Sequence, residues 1–175
     1  MKPLAILTDR VNLNLVPDEQ GLEDVFSQCG IESSVVIWDE VDWSQFKNIL
    51  IRSPWDYSSK SDLFTQKILE AQKAGVNIIH SPEIIFWNMD KSYLTELAKL
   101  TNVVETICVE DFKTSDCLKY FEKLGKTLVI KPKIGAGGKD TFKVHIEDKK
   151  EILHILDGTA VLIQPYISSI VSEGE

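Results

Sequence analysis

Residues 128–140 read Leu-Val-Ile-Lys-Pro-Lys-Ile-Gly-Ala-Gly-Gly-Lys-Asp, and the rest of the chain is organised around them. Val129 and Ile130 form a β-branched apolar pair that delivers Lys131. Gly135, Gly137 and Gly138 follow, and residues 141–146 then alternate Phe142, Val144 and Ile146 with Thr141, Lys143 and His145. Alternation with a period of two is the pattern of a half-buried strand, so the stretch predicts a hairpin with a glycine-rich tip flanked by lysines. Such a tip suits phosphate, because glycine lets backbone N–H groups approach an anion with no Cβ in the way, and Lys131 and Lys139 add positive charge. A surface hairpin whose glycines serve only the turn has the same pattern. Two familiar phosphate loops are excluded. Gly138–Lys139 is followed by Asp140, where a Walker-type loop needs Ser or Thr, and position 133 is Lys. A dinucleotide fingerprint on Gly135 and Gly137 needs glycine or alanine at position 140.

The chain has 175 residues and a formal net charge of −8. That length suits one ordinary domain or two small ones. The charge argues against a general nucleic-acid binder, which carries a basic face. Cys29, Cys108 and Cys117 are odd in number and form no Cys-x-x-Cys pair, so neither a zinc site nor a disulfide framework is predicted. No apolar run is long enough to span a bilayer, and the amino terminus leads straight into a strand rather than a signal peptide. A reduced, cytoplasmic setting with no membrane partner is expected.

The first half reads as α/β. Residues 4–7, 34–38, 49–51 and 76–79 are predicted strands. A helix is expected from Asp18, with Leu22, Val25, Phe26 and Cys29 on its apolar face and Gly30 as its cap, which makes Cys29 a small core residue. A second helix, starting at Ser61 or Asp62, carries Phe64, Ile68 and Ala71 and ends at Gly75. Strands alternating with helices predict an open parallel sheet, whose ligands sit beyond the carboxyl ends of the strands. Thr8-Asp9-Arg10 and Arg52-Ser53-Pro54-Trp55-Asp56-Tyr57 lie there. Arg52 is one of only two arginines in the chain. Its guanidinium suits a carboxylate or phosphate, while an Arg52–Asp56 pair closing its own loop is an equal reading.

After Pro82 the character changes. Asp90 is a candidate N-cap for a helix with Leu94, Leu97, Ala98 and Leu100 on one side. Lys91 then falls in the first turn, where a lysine is poorly placed for helix stability but well placed for a phosphate. An exposed, solubilising lysine is the ordinary alternative. Residues 105–109 read as a strand. A helix capped by Thr114 or Ser115 carries Leu118, Phe121 and Leu124. Beyond the hairpin, residues 148–156 are a predicted helix with Ile152, Ile155 and Leu156 apolar. Residues 161–163 are a short buried strand running into Gln164-Pro165-Tyr166-Ile167. The order is that of a compact α+β unit.

Taken in register, Asp90–Lys91, Val129-Ile130-Lys131-Pro132, Gly135-Ala136-Gly137-Gly138 and Gln164-Pro165-Tyr166-Ile167 resemble the ATP-grasp superfamily. The likeness is to its glutathione-synthetase-like and ribosomal-protein-S6-modification-like ligases. The resemblance implies a pre-ATP-grasp domain at residues 1–87, the smaller ATP-grasp lobe at 88–163, and a hinge leading into the larger lobe at 164–175. It implies that Lys91 and Lys131 hold the phosphates of ATP and that Gly135, Ala136, Gly137 and Gly138 fold over them. Gln164, Tyr166 and Ile167 would meet adenine, and Glu173 or Glu175 the ribose.

The implied reaction is ATP-dependent ligation of a carboxylate to an amine or thiol through an acyl phosphate, with magnesium on the phosphates. Positioning and charge neutralisation carry such a reaction. The family's metal-binding acids and Asn lie beyond the hinge, so no metal ligand is expected in this chain. A fragment without turnover of its own is the expectation. The partners implied are ATP and a small carboxylate such as an amino acid or peptide, with Arg52 and Asp56 as positional candidates for it. Two other readings stay open. One is a non-catalytic nucleotide-binding or subunit-interaction module, including a homo-oligomer; the other is a doubly wound phosphate or dinucleotide binder.

Overall fold

Residues 4–148 and 150–173 are described in a computed structural model of the chain. Leu4–Thr8 forms strand β1, and all five residues are buried. An unbroken apolar run suits a strand covered on both faces, which is the environment of a parallel sheet. Strand β2 is Ser33–Ile37, β3 is Asn48–Ser53 and β4 is Asn77–Ile79. They run parallel in the order β2-β1-β3-β4, with Leu4 opposite both Ser33 and Asn48. The sheet therefore presents the carboxyl ends of β1 and β3 side by side. Helix α1, Leu22–Gln28, follows β1, and α2, Ser61–Lys73, follows β3. Phe64, Ile68 and Ala71 are buried on α2, as their spacing predicts, and Trp43 and Phe46 are buried in the link before β3.

The first helix departs from expectation. Pro17–Glu19 forms a 3-10 turn, and the α-helix starts only after Gly21, whose φ is +89°. The late start limits the buried face: Leu22 and Phe26 pack against Leu4, Ile6 and the loop residue Leu15, while Val25 and Cys29 are exposed. Cys29 is therefore a surface thiol and not the core residue its position in the helical pattern suggests.

The chain divides into two compact units, Met1–Trp87 and Asn88–Glu175. Across the division runs a helix absent from the sequence reading, α3, Pro82–Met89. Pro82 stands in its first turn, where a missing N–H is no loss. The helix expected from Asp90 shrinks to α4, Tyr93–Leu97, and Leu100 is exposed. Asp90 itself makes an antiparallel bridge with Ile134. The cause is tertiary pairing: residues 90 and 91 bond to the end of the lysine strand instead of coiling.

In the second unit, β5 is Ile107–Val109, β6 Thr127–Pro132, β7 Phe142–His145 and β8 Val161–Pro165, in the antiparallel order β5-β8-β6-β7. The predicted hairpin is β6–β7, with Thr127 opposite His145 and Ile130 opposite Phe142. One face of the sheet is the core: Leu128, Ile130, Val144, Val161 and Ile163 pack on Phe112, Cys117, Phe121, Leu153 and Leu156. Each such side chain contributes about 1.5–3 kcal/mol by burial. Helix α5, Cys117–Leu124, follows a 3-10 turn and buries Cys117, Tyr120 and Phe121, leaving the expected core residue Leu118 exposed.

Glu151–Leu156 is likewise a 3-10 helix. Three residues per turn bring Leu153 and Leu156 onto one face and turn Ile152 and Ile155 outward, at 60% and 63% exposure. Helix α6 is Ser169–Glu173, and Glu175 lies outside the described residues. No described helix is long and apolar enough to cross a membrane.

Candidate functional site

The end of β6 supplies the first element of the site. Lys131 and Pro132 still pair with Leu162 and Val161 of β8, which holds the lysine at a fixed place on the sheet. Beyond it the backbone turns through Gly137 at φ +60°, Gly138 at +71° and Asp140 at +55°. The left-handed region suits glycine because it has no Cβ, and Asp tolerates it better than most residues. The turns close with bonds from the Lys139 N–H to the Ala136 carbonyl and from the Thr141 N–H to the Gly138 carbonyl, both at 3.2 Å.

The second element is the segment after α3. The Lys91 N–H donates to the Lys133 carbonyl at 3.0 Å. Its ε-amine donates to the carbonyl of Gly135, at the root of the glycine loop. Lys91, Lys131, Pro132, Gly135, Ala136, Gly137, Gly138, Lys139 and Thr141 line one cleft of about 290 Å³. Residues 91, 131 and 135–138, separate in sequence, are thus brought together.

Electrostatics gives this cleft its character. Burial lowers the Lys91 pKa, the charge of Lys131 lowers it further, and Asp90 only partly opposes this. Burial lowers that of Lys131 too. Among the described residues Lys131 has no carboxylate partner. Two half-buried amines that repel one another, beside an open glycine backbone, give the cleft the chemistry to accept an anion. A polyanion such as a triphosphate relieves both desolvation and repulsion, since hydrogen bonds to charged groups are the strong ones.

The other candidates are distributed as follows. Gln164 lies in β8 opposite Val129, and its amide nitrogen donates to the Thr106 hydroxyl at 2.8 Å. The Tyr166 N–H is taken by the Thr127 carbonyl at 2.9 Å, and its ring lies under the Lys143 ammonium, 3.7 Å from the ring centroid. Ile167 is exposed, and Glu173 is exposed at the end of α6.

Arg52 and Asp56 belong to the first unit and do not pair with each other. Arg52 Nη2 meets Glu19 Oε1 at 2.7 Å, and Ser53 donates its hydroxyl to the other oxygen of Glu19. Asp56 accepts from Trp38 Nε1 at 2.6 Å and from Lys60 Nζ at 2.7 Å. The buried Asp9 carboxylate accepts from the N–H groups of Val11, Asn12 and Asp56. Among the described residues no group of three or more His, Cys, Asp or Glu could hold a metal ion.

Sequence reading missed Glu19 and Lys133. Both look like surface charges in a polar loop or a lysine-rich stretch, and only the fold shows their partners. Thr141 could have been found, because it closes the glycine loop at a residue adjacent to β7.

The fold gives the class: the chain has the ATP-grasp fold, an open parallel pre-ATP-grasp sheet followed by the smaller α+β lobe. Within that class the likeness is to D-cycloserine synthetase DcsG. The amino-terminal domain family of that enzyme matches residues 4–80. Cycloserine biosynthesis protein DcsG of Streptomyces lavendulae is 28% identical over 186 residues, covering 98% of this chain. The crystal structure of D-cycloserine synthetase DcsG superposes with a TM-score of 0.82 at 27% identity, over 98% of this chain and 61% of its own.

The RimK-domain ATP-grasp protein of Sphaerobacter thermophilus has a TM-score of 0.69 at 21% identity, over 94% of this chain and 64% of its own. Carboxyaminoimidazole ribonucleotide synthase of Aspergillus clavatus, solved with ATP, has a TM-score of 0.71 at 16% identity, over 95% and 47%. At these identities the last two show the fold alone. The chain spans 61% of the length of the curated relative it matches.

Proposed function

We propose that this chain supplies the nucleotide-gripping part of an ATP-dependent carboxylate–amine or carboxylate–thiol ligase that works through an acyl phosphate, in the manner of the glutathione-synthetase-like enzymes. Residues 1–87 act as its pre-ATP-grasp domain, 88–163 as its smaller lobe, and 164–175 as the hinge. The observation that carries the reading is the common cleft of Lys91, Lys131 and the glycine loop. Relatives of this fold that are ligases, one of them solved with ATP, support it.

In this reading Lys91 and Lys131 bind the triphosphate, and Gly135, Ala136, Gly137 and Gly138 close over it and exclude water. Charge neutralisation, with no protein nucleophile, lowers the barrier to phosphoryl transfer. Gln164, the Tyr166 carbonyl and Ile167 meet adenine, because the Tyr166 N–H is already used within the sheet. Glu173 and Glu175 are the ribose candidates. Magnesium would come with the nucleotide and supply charge on its phosphates, and no residue of this chain is assigned to it. Arg52 and Asp56 remain the candidates for a small carboxylate such as an amino acid or peptide. A substrate carboxylate at Arg52 displaces or joins Glu19.

Calorimetric titration of a non-hydrolysable ATP analogue into the chain tests the reading. Saturable binding that Lys131→Ala weakens by about tenfold or more supports it, as expected for loss of a charge-assisted contact. Binding unchanged by Lys131→Ala, or absent, overturns it.

A further inference from the structure

Lys133 is a lysine of a different kind from its neighbours in the cleft. Its Nζ lies 2.9 Å from Glu110 Oε1 and 3.3 Å from Asp90 Oδ2. Its side chain is only 16% exposed, against 74% for Glu110. Those two carboxylates raise its pKa, where burial lowers that of Lys91 and Lys131. With two acids on it, Lys133 is not an open phosphate ligand.

Its contacts converge on Lys91. The Lys133 carbonyl accepts the Lys91 N–H at 3.0 Å, and the Lys133 N–H donates to the Ala160 carbonyl at 2.9 Å, tying the link to the sheet. The next residue, Ile134, bridges to Asp90. Asp90 holds Lys133 with one oxygen and accepts the Ser92 N–H with the other at 2.9 Å. The residues on both sides of Lys91 are therefore fixed by one network. We infer that Lys133 is a positioning residue: with Asp90 it clamps the segment that carries Lys91 onto the end of β6, so that the Lys91 ammonium faces the glycine loop. This rests on the nucleotide reading above.

Removing the Lys133 amine has two consequences. The 90–92 segment loses its side-chain anchor, and Asp90 is left beside Lys91 without its own cation. Asp90 then competes with phosphate for the Lys91 charge, because an uncompensated carboxylate attracts the nearest amine.

A double-mutant cycle on binding of a non-hydrolysable MgATP analogue separates positioning from general structural damage. Lys133→Met weakens binding by about tenfold, the middle of the range for groups in one network. Lys133→Arg, which keeps the charge, restores most of it. In a Lys91→Ala background Lys133→Met causes no further loss, because the lysine it positions is gone. Asp90→Asn is the second arm, for use if Lys133→Met does not fold: it gives a loss in the native background and none without Lys91. Full additivity of the two losses overturns the clamp, as does unchanged binding in Lys133→Met while Lys91→Ala weakens it. If neither Lys91→Ala nor Lys131→Ala alters binding, the nucleotide reading falls and the clamp with it.

Discussion

The ε-amine of Lys91 donates to the carbonyl oxygen of Gly135, 44 positions further along the chain. The same amine that faces the cleft thus holds down the root of the loop that borders it. An anion entering the cleft competes with that carbonyl for Lys91, so occupancy and loop position are coupled. Lys91→Met accordingly raises amide hydrogen exchange through residues 135–138 of the ligand-free chain. Unchanged exchange there shows that Lys91 does not hold the loop.

The lysine pKa shifts fix a pH dependence. Burial lowers both Lys91 and Lys131, and the charge of Lys131 lowers Lys91 further. Their charged forms are therefore disfavoured by folding, and they add stability to the empty chain as pH rises through their folded values. A polyphosphate favours the charged forms, so its affinity is highest below those values and falls as pH climbs through them. The fall begins below about 10.4, the ordinary lysine value. Lys131→Arg flattens it, since a guanidinium stays charged throughout. Dissociation constants measured across the alkaline range check this; a wild-type affinity flat to about pH 10.4 contradicts it.

Acid stability has a separate source. Asp157 meets His154 Nδ1 at 2.8 Å, and accepts the Thr114 hydroxyl at 2.8 Å and the Thr114 N–H at 2.6 Å. In that order of importance, these hold its pKa down to about 2. A depressed carboxylate gives stability that is fully present above its unfolded value of about 3.9 and is lost as pH falls through the folded value. Melting temperatures of the wild type therefore drop between about pH 4 and about pH 2 by more than those of Asp157→Asn, which has no proton to gain. Parallel acid limbs for the two proteins rule this out.

The glycines of the loop are not equivalent. A Cβ on Gly135 meets Pro132 O at 3.8 Å and Pro132 Cβ at 3.9 Å, which is ordinary contact. Gly138 has open space around it but a φ of +71°. Gly138→Ala therefore costs about 1–2 kcal/mol through the left-handed backbone, and Gly135→Ala is nearly neutral for stability. Thermal melts of the two variants read the difference directly.

The pair Ile152 and Leu153 shows where sequence reading ended. Leu153 is fully buried, while Ile152 is 60% exposed. Leu153→Ala costs about 2–5 kcal/mol and Ile152→Ala stays within about 0.5. Periodicity favoured Ile152 because it assumed 3.6 residues per turn where the segment is a 3-10 helix. Cys29 and Leu118 failed for another reason: the α-helices that carry them start later than the pattern predicts, at Leu22 and Cys117, after 3-10 turns, and leave both side chains exposed. The parallel sheet was legible because strands alternate with helices through the first unit, and the hairpin because β7 alternates cleanly. Helix α3 could have been read from Ser81–Pro82, a cap residue followed by proline in the first turn. The cleft was legible in its lysines and glycines. The Arg52–Glu19 and Lys133–Asp90 pairs were not, because each joins segments that only the folded chain brings together.

Reductive methylation of lysines followed by mass spectrometry, with and without a non-hydrolysable MgATP analogue, tests the convergence of two amines on one ligand most directly. Lys91 and Lys131 are expected to be protected together, with the same half-saturating concentration, while Lys133 is unaffected. Protection of only one of the two, or of neither at saturation, contradicts it.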